Sequence, residues 1–256
     1  MIRGCCIDLS WYDKLVEYGY ESIALAAKDV AAWDEETFSK NKEKLSKGPL
    51  KTISLNSFCT QDLRLDGSGY DPEKLRAYME RLCPRAAALG FSVIGIGAPA
   101  SRNLGAEDDR ETCLAQFKES LRIMCDVAAA HGIGILLESV CSLECNFITT
   151  TREAYAIVKE LALPNLHLVY DIYHEVMEGQ PVDVIDEVIN EIRVVHIAQD
   201  ENGKRAWPDK AHIDEYRVYW DRLHALGYTG EWNPECFTGD IDQGLQQSIQ
   251  ILKSFS

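Results

Sequence analysis

Basic side chains are scarce in this 256-residue chain. It has 26 lysines and arginines against 41 aspartates and glutamates, which gives a formal charge of −15. Such a charge repels the phosphates of nucleic acids and the anionic surfaces of membranes. We therefore expect neither a nucleic acid nor a membrane as a partner.

The chain also lacks a long hydrophobic run. No apolar stretch reaches the roughly 20 residues that a membrane-spanning helix needs. Residues 1–14, "MIRGCCIDLSWYDK", show no basic segment followed by an apolar segment and a small-residue cleavage site. These features predict a cytoplasmic protein.

Familiar metal and nucleotide motifs are missing as well. The nine cysteines contain no CxxC pair, so neither a disulfide framework nor a zinc ribbon is indicated. Cys141 and Cys145 have CxxxC spacing, which leaves a metal-binding role open for them but does not favour it. Neither GxGxxG nor GxxxxGK[ST] occurs, which argues against a nucleotide-binding loop.

Eight short apolar or β-branched runs are present, and amphipathic segments separate them. This alternation predicts βα units that build a parallel sheet. Residues 72–90 and 113–132 have apolar spacings of three and four and end in glycine, which predicts helices. The predicted strands cover residues 2–7, 22–26, 52–58, 92–97, 133–138, 166–171, 192–198 and 229–235.

Eight strands, each followed by a helix, favour a closed (β/α)8 TIM barrel over an open doubly wound sheet. The 46% apolar and 26% charged residues are typical of a soluble globular protein. No Pro/Gly/Ser linker or change in composition divides the chain. We therefore expect residues 1–256 to form a single α/β domain.

Polar residues end four consecutive predicted strands. Glu138, Asp171 and Glu235 close the fifth, sixth and eighth strands, and His196 lies in the seventh. Taken singly, each would be a solvated carboxylate, a helix N-cap or a structural histidine. In a barrel, however, the carboxyl ends of the strands form one rim, where active sites lie, so these four side chains should converge.

Convergence of three carboxylates predicts a bound cation. Carboxylates held this close raise one another's pKa values and destabilise the fold unless a positive charge offsets them. Three oxygen donors and one imidazole favour Mn²⁺, Mg²⁺ or Co²⁺ and leave Zn²⁺ open. His174 follows Asp171 by three residues and should reach a ligand bound there, while Glu178 either orients His174 or faces solvent, the latter being favoured.

Several segments resemble a known family over nearly the whole chain. The most specific is "DIYHEVMEG", together with the spacing of the four candidate ligands. "GYESIAL", "IGIGAPASR", "HGIGILLESV", "ECNFITT", "VVHIAQDENGKR" and "LGYTGEWNPE" add to it. The sequence thus resembles the xylose-isomerase-like TIM-barrel superfamily, in particular its sugar isomerase/epimerase group, which includes the ketose 3-epimerases.

The resemblance implies roles for individual residues. Its implied metal ligands are again Glu138, Asp171, His196 and Glu235, with one divalent ion, Mn²⁺ foremost. It further implies that Glu138 and Glu235 form the acid/base pair and that His174 and Arg205 contact the substrate. For Arg205, a hydroxyl donor, an anion clamp and a solvated loop arginine remain open. A homodimer or homotetramer is implied as well.

The sequence departs from the family pattern at three places. "IALAA" lacks the glutamate that often ends strand two, and Ser139 and Cys141 stand where Pro and Asn often follow the strand-five glutamate. The loop "RAWPDKAHID" keeps Arg205 and Pro208 but lacks the usual glycines. These departures leave the identity of the substrate open.

Aromatic residues near the rim are further candidates. Trp11, Phe58, Trp207 and Trp232 would either stack on the apolar face of a sugar or serve as core or oligomer contacts. Asn56 is a weaker substrate-binding candidate of the same kind.

These features predict a metal-dependent isomerase or epimerase of a sugar or sugar-like ketone. A proton next to the carbonyl would be removed by one glutamate and returned by the other, and the ion would hold the enediolate oxygen. The first alternative is a lyase, acting by inosose dehydration or C-glycoside cleavage, because elimination begins with the same proton abstraction. A non-catalytic sugar-binding barrel is less favoured because all four candidate ligands are retained.

An endonuclease that cuts at abasic sites is also less favoured. Such members of the superfamily need further histidines near the ends of strands two to four, where this chain has Ala26, Asn56 and Gly97. They also need a basic face toward DNA, which the charge of this chain does not supply.

Overall fold

The computed structural model describes residues 1–255 and shows a ring of eight parallel strands with helices around it. In chain order the strands are β1 (Ile2–Arg3), β2 (Ser22–Ala26), β3 (Lys51–Asn56), β4 (Val93–Ile96), β5 (Gly134–Leu137), β6 (Leu166–Asp171), β7 (Ile192–Ile197), β8 (Gln199–Asp200), β9 (Arg205–Ala206) and β10 (Glu231–Pro234). The short strands β8 and β9 form a separate antiparallel hairpin, so the eighth barrel strand is β10.

The barrel is nearly closed. Its hydrogen-bonded order is β1-β10-β7-β6-β5-β4-β3-β2, with every neighbouring pair parallel. An isolated parallel bridge between Cys6 and Ala24 joins the segment after β1 to β2. The prediction of a (β/α)8 TIM barrel is therefore confirmed.

Helices follow each barrel strand. They are α1 (Tyr12–Tyr18), α2 (Ala27–Ala32), α3 (Glu35–Lys47), α4 (Pro72–Ala88), α5 (Pro99–Arg102), α6 (Arg110–Ala129), α7 (Thr151–Leu161), α8 (Ile172–Met177), α9 (Val184–Val188), α10 (Ile213–Ala225) and α11 (Ile241–Ser254). Single-turn 3₁₀ helices cover Leu9–Trp11 and Lys210–His212. Within residues 1–255, no helix has both the length and the apolar character that crossing a membrane requires.

The two long helices predicted from apolar spacing are both present. Asp71 caps α4 by accepting hydrogen bonds from the backbone N–H groups of Glu73 and Lys74. Gly90, with a φ of +89°, lies just beyond its end, and Gly132, with a φ of +68°, lies beyond the end of α6. These left-handed positions favour glycine, so the glycines mark the helix ends seen in the sequence.

All eight predicted barrel strands occur, and β2 and β6 match their predicted bounds to the residue. The regular part of β1 is shorter than predicted, although Gly4 and Cys6 continue the hydrogen bonding with the backbone of Trp232 and Pro234. The last predicted strand is confirmed as β10, which is buried along its whole length. Glu138 and Glu235 each lie one residue beyond a strand, at the carboxyl-end rim.

Candidate metal centre

The structure brings Glu138, Asp171, His196 and Glu235 together, as the sequence predicts. Each offers one ligand atom, and these atoms all lie within 4.8 Å of one another. All four residues are buried, with at most 7% of their surface exposed. They meet because β5, β6, β7 and β10 are neighbours in the ring and their carboxyl ends share one rim.

His196 lies at the middle of this group. Its Nδ1 atom is 3.0 Å from Glu138 Oε1, 3.4 Å from Glu235 Oε2 and 3.9 Å from Asp171 Oδ2. Its Nε2 atom is 3.7 Å from the Sγ atom of Cys6. The three carboxylates therefore lie on the Nδ1 side of the imidazole, and the Cys6 thiol lies on its Nε2 side.

The two glutamates differ in their electrostatic surroundings. Burial, reinforced by the carboxylates of Glu235 and Asp171 and opposed by the hydrogen bond to His196, raises the pKa of Glu138 to about 7. Burial also acts on Glu235, but the positive charges of His196 and Arg205 outweigh it and hold the pKa of Glu235 well below its usual value. Near neutral pH, Glu138 thus holds a proton more readily than Glu235 does.

Arg205 lies inside this cluster, so a solvated loop arginine is ruled out. Only 3% of its surface is exposed. Its Nη2 donates to Asp171 Oδ2 at 2.6 Å and to Glu235 Oε2 at 2.9 Å, and its Nε donates to the backbone carbonyl of Glu235 at 2.9 Å. Arg205 is the first residue of β9, so the hairpin of β8 and β9 places its side chain at the rim. The Arg205 guanidinium lies 4.8 Å from the ring centroid of Tyr173.

His174 is held next to Arg205. Its Nε2 lies 3.1 Å from Arg205 Nη1 and 3.8 Å from Asp171 Oδ2. Because a guanidinium only donates, Nε2 is the accepting nitrogen of this pair. Burial, aided by the charge of Arg205 and opposed by that of Asp171, lowers the pKa of His174 to about 4, so the ring is neutral at pH 7. Glu178 accepts a hydrogen bond from the backbone N–H of Ser142 instead of orienting His174.

A pocket of about 310 Å³ opens beside the cluster. Asn56 links the two, since it lines the pocket and its Nδ2 donates to Glu235 Oε1 at 2.8 Å. Cys6 lines the pocket as well and lies against His196. The four candidate ligands themselves lie behind this lining.

The four rim aromatics fall into two groups. Trp11 and Trp207 line the pocket. Phe58 is fully buried edge-to-face against Tyr78, and Trp232 is fully buried against Trp220 and Phe255. Phe58 and Trp232 are therefore core residues.

Two residues that support Glu138 were missed in the sequence. Arg102 is fully buried, and its guanidinium donates to the backbone carbonyls of Gly97 at 2.7 Å, Phe147 at 2.8 Å and Glu138 at 2.9 Å. A Cβ atom on Gly97 would lie 2.5 Å from Glu138 Oε2, so the glycine leaves room for the carboxylate. Both belong to "IGIGAPASR", where a glycine directly follows β4 and the arginine ends the short helix α5.

The cluster fits a divalent cation. A metal-bound imidazole is neutral, so His196 would give up its proton to an ion. Three ionised carboxylates against the single guanidinium of Arg205 would then leave two negative charges, which a divalent ion would offset. Three carboxylates and one imidazole are also a donor set that suits hard and borderline divalent ions.

A second group of metal-binding side chains contains Cys141, Glu144 and His174, whose ligand atoms also lie within 4.8 Å of one another. Its histidine already accepts from the Arg205 cation, which disfavours an ion there. Cys145 instead donates to the backbone carbonyl of Phe147, so the CxxxC pair does not act as a unit.

Comparisons with known proteins agree with the fold and the sequence resemblance. A ketose 3-epimerase of Arthrobacter globiformis is 30% identical over 129 residues, which cover 50% of this chain and 43% of that protein. The chain therefore spans less than half the length of this relative.

Two solved structures superpose over nearly the whole barrel. D-allulose 3-epimerase from Methylomonas sp., in complex with D-allulose, has a TM-score of 0.84 at 20% identity and covers 100% of this chain and 97% of its own. The IOLI protein with a bound zinc atom has a TM-score of 0.77 at 17% identity, and the superposition covers 100% of this chain and 98% of the IOLI chain. At these identities the likeness shows the fold alone.

The profile of the family described as "Xylose isomerase-like TIM barrel" matches residues 12–255, which is nearly the complete sequence. The chain therefore belongs to the xylose isomerase-like TIM barrel family.

Proposed function

We propose that this protein is a divalent-metal-dependent isomerase or epimerase that acts on a sugar or sugar-like ketone by proton abstraction next to the carbonyl. The observation that carries the proposal is the buried group of three carboxylates and one histidine beside an open pocket. The name of the ketose 3-epimerase relative supports the substrate class.

Glu138, Asp171, His196 and Glu235 would hold the metal ion. When bound, it would act as a Lewis acid that stabilises the negative charge developing on the substrate oxygen. The IOLI protein, which shares this fold, binds a zinc atom, which supports a metal-dependent function. The oxygen-rich donor set favours Mn²⁺ among the candidate ions.

Glu138 and Glu235 would move the protons. They follow β5 and β10, which are separated in the ring by β6 and β7, so they approach a ligand from different sides. The pKa of Glu138, near 7, suits a group that exchanges protons near neutral pH, whereas Glu235, held ionised by His196 and Arg205, is the weaker base of the pair. Proton transfer of this kind contributes about 10²–10⁴-fold to a rate.

Four neighbouring side chains would orient the substrate. Arg205 keeps Asp171 and Glu235 in place. Neutral His174 accepts from Arg205 Nη1 and would contact the substrate beside that guanidinium. Asn56 fixes one oxygen of Glu235 at the pocket wall, and the Trp207 ring offers an apolar face for a sugar.

The test is exchange of carbon-bound hydrogen in D₂O with a panel of ketoses, ketose phosphates and inososes in the presence of Mn²⁺. We expect exchange by the wild type, loss of about 10²–10⁴-fold in Glu138→Gln and in Glu235→Gln, and little change in Glu178→Gln as a matched control. Full activity of either of the first two variants would refute the acid/base assignment. Product analysis separates isomerisation from elimination, because a lyase releases water or a leaving group.

A further inference from the structure

The pocket beside the metal centre is lined, within residues 1–255, by acidic side chains and by no basic ones. Among the seventeen described residues that line it, none is lysine, arginine or histidine, whereas Asp8 and Asp29 contribute two exposed carboxylates. Arg205 is the nearest candidate for an anion clamp, but its guanidinium is already paired with Asp171 and Glu235. A phosphate dianion in this pocket would meet like charges, and none of the described lining side chains is a cation that could pair with it.

The pocket is also rich in aromatic side chains. Trp11, Trp33, Trp207 and Phe237 line it, and Phe237 is 68% exposed. Asn56, on the side of the metal centre, is only 7% exposed, whereas Trp33 is partly exposed, so Trp33 and Phe237 lie on the solvent side of the pocket. Such rings at a pocket mouth favour an apolar group over a hydroxyl-rich or charged one.

This wall is held in a fixed shape. The Trp207 ring packs directly on α11, where a Cβ atom on Gly244 would lie 2.2 Å from Trp207 Cγ. The backbone N–H of Phe237 donates to the carbonyl of Arg205 at 2.9 Å, and the backbone carbonyl of Trp33 accepts from Arg85 at 2.6 Å. Because the Trp207 ring and the backbone at Trp33 and Phe237 are held before a ligand arrives, less ordering entropy opposes binding.

We propose that the substrate is an unphosphorylated, uncharged sugar-like ketone that carries an apolar substituent, with the substituent packed between Trp33 and Phe237 at the pocket mouth. The inference rests on the proposed function for the reacting end of the substrate. It goes beyond that function by assigning a separate subsite for the substituent.

The experiment compares D-fructose with its 1- and 6-phosphates and its 1-O- and 6-O-benzyl ethers, using kcat/KM for hydrogen exchange in D₂O. We expect at least one benzyl ether to exceed D-fructose by about 10–100-fold, the effect of burying a ring-sized apolar group. Both phosphates should fall about tenfold or more below D-fructose. A phosphate that equals or exceeds D-fructose, or benzyl ethers without any gain, would overturn the inference.

Two pocket variants test whether the apolar substituent binds between Trp33 and Phe237. Trp33→Ala and Phe237→Ala should each reduce the ratio of the benzyl ether's kcat/KM to that of D-fructose by about tenfold. Val218→Ala removes an apolar side chain that is 51% exposed on α10 and not part of the lining, and it should keep the ratio. An unchanged ratio in both pocket variants would exclude the assigned subsite.

Failure of the proposed function is distinguishable from failure of this inference. If no compound exchanges hydrogen, the catalytic proposal fails, and calorimetric binding of the benzyl ethers and phosphates still tests the pocket. Binding of a benzyl ether that is weakened by Trp33→Ala and Phe237→Ala, without phosphate binding, supports the inference. No benzyl ether binding, or tighter phosphate binding, contradicts it.

Discussion

Glu138 and Glu235 are both glutamates, but the fold raises the pKa of one and lowers the pKa of the other. Both are strand-end glutamates in the sequence, and the positions of both could be predicted from the strand pattern. The pKa of Glu235 is lowered by His196 and by Arg205, which approaches Glu235 from the β8–β9 hairpin, 30 residues away in the chain. That approach depends on tertiary packing, so the sequence pattern left three roles open for Arg205.

Glu175 is one of the buried carboxylates that lie outside the metal cluster. It is 1% exposed, Thr151 Oγ1 donates to its Oε1 at 2.7 Å, and its Oε2 has no partner among the described residues. Burial raises the pKa of Glu175 to about 7. The folded protein therefore holds this proton more tightly than the unfolded chain does.

The pH dependence of stability follows from this shift. The favourable contribution of protonated Glu175 is complete below its unfolded pKa, near 4.5, and is lost as the pH rises through about 7. Glu175→Gln cannot ionise, so its free energy of unfolding relative to wild type should increase by about 1–3 kcal/mol between pH 5 and pH 8. Urea unfolding at both pH values measures this. A difference between variant and wild type that is the same at both would contradict the assignment.

The end of β4 shows how a strand terminus shapes the site. Gly97 permits the Glu138 carboxylate to lie where an alanine Cβ would be 2.5 Å from Oε2. Since that oxygen ends a flexible side chain, Gly97→Ala should fold and move the carboxylate instead. The sequence marks the glycine but not the contact, because the contact joins two strands.

We expect Gly97→Ala to weaken Mn²⁺ binding and to lower activity by about 10–100-fold, as other disturbances of ligand orientation do. Gly134→Ala is the matched control at the start of β5, where the nearest atom to the new Cβ is an ordinary 3.4 Å away. Calorimetry and circular dichroism of both variants give affinity and fold. Wild-type affinity in Gly97→Ala would show that Glu138 does not need this space.

Arg102 connects three chain segments at the same edge of the barrel. Its guanidinium bonds the backbone at Gly97, Glu138 and Phe147, and a lysine cannot span these acceptors with one ammonium group. Arg102→Lys should therefore lower the free energy of unfolding by about 2–4 kcal/mol. The exposed Arg81→Lys on α4 should change it by less than about 0.5 kcal/mol. Equal urea midpoints for the two variants would refute the role of Arg102.

The architecture as a whole was more predictable than the site. Strand and helix periods, glycine ends and the absence of a linker indicated the barrel, because these patterns repeat locally. Convergence of Glu138, Asp171, His196 and Glu235 followed from barrel geometry. The pairing of Asn56 with Glu235 and the burial of Trp232 could not be predicted in this way. They depend on which side of a strand faces the interior and on residues far away in the chain.

Metal binding should stabilise the entire fold, because ligands from β6 and β7 and from just beyond β5 and β10 converge on one site. Mn²⁺ at a hundred times its Kd adds about 2.7 kcal/mol to the free energy of unfolding, by mass action. For a protein of this size this corresponds to a rise in Tm of about 5–10 °C. Chelation should reverse the rise, as differential scanning calorimetry would show. A Tm that does not respond to Mn²⁺ or chelator would contradict the site.

The account depends most directly on one divalent ion at the rim of the barrel. Titration of chelator-treated protein with Mn²⁺, followed by calorimetry and electron paramagnetic resonance, measures its stoichiometry. We predict one ion per chain in the wild type and in His167→Gln, whose histidine pairs with Glu191, and loss of that binding in His196→Gln. Absence of saturable binding in the wild type, or unchanged binding in His196→Gln, would contradict the account.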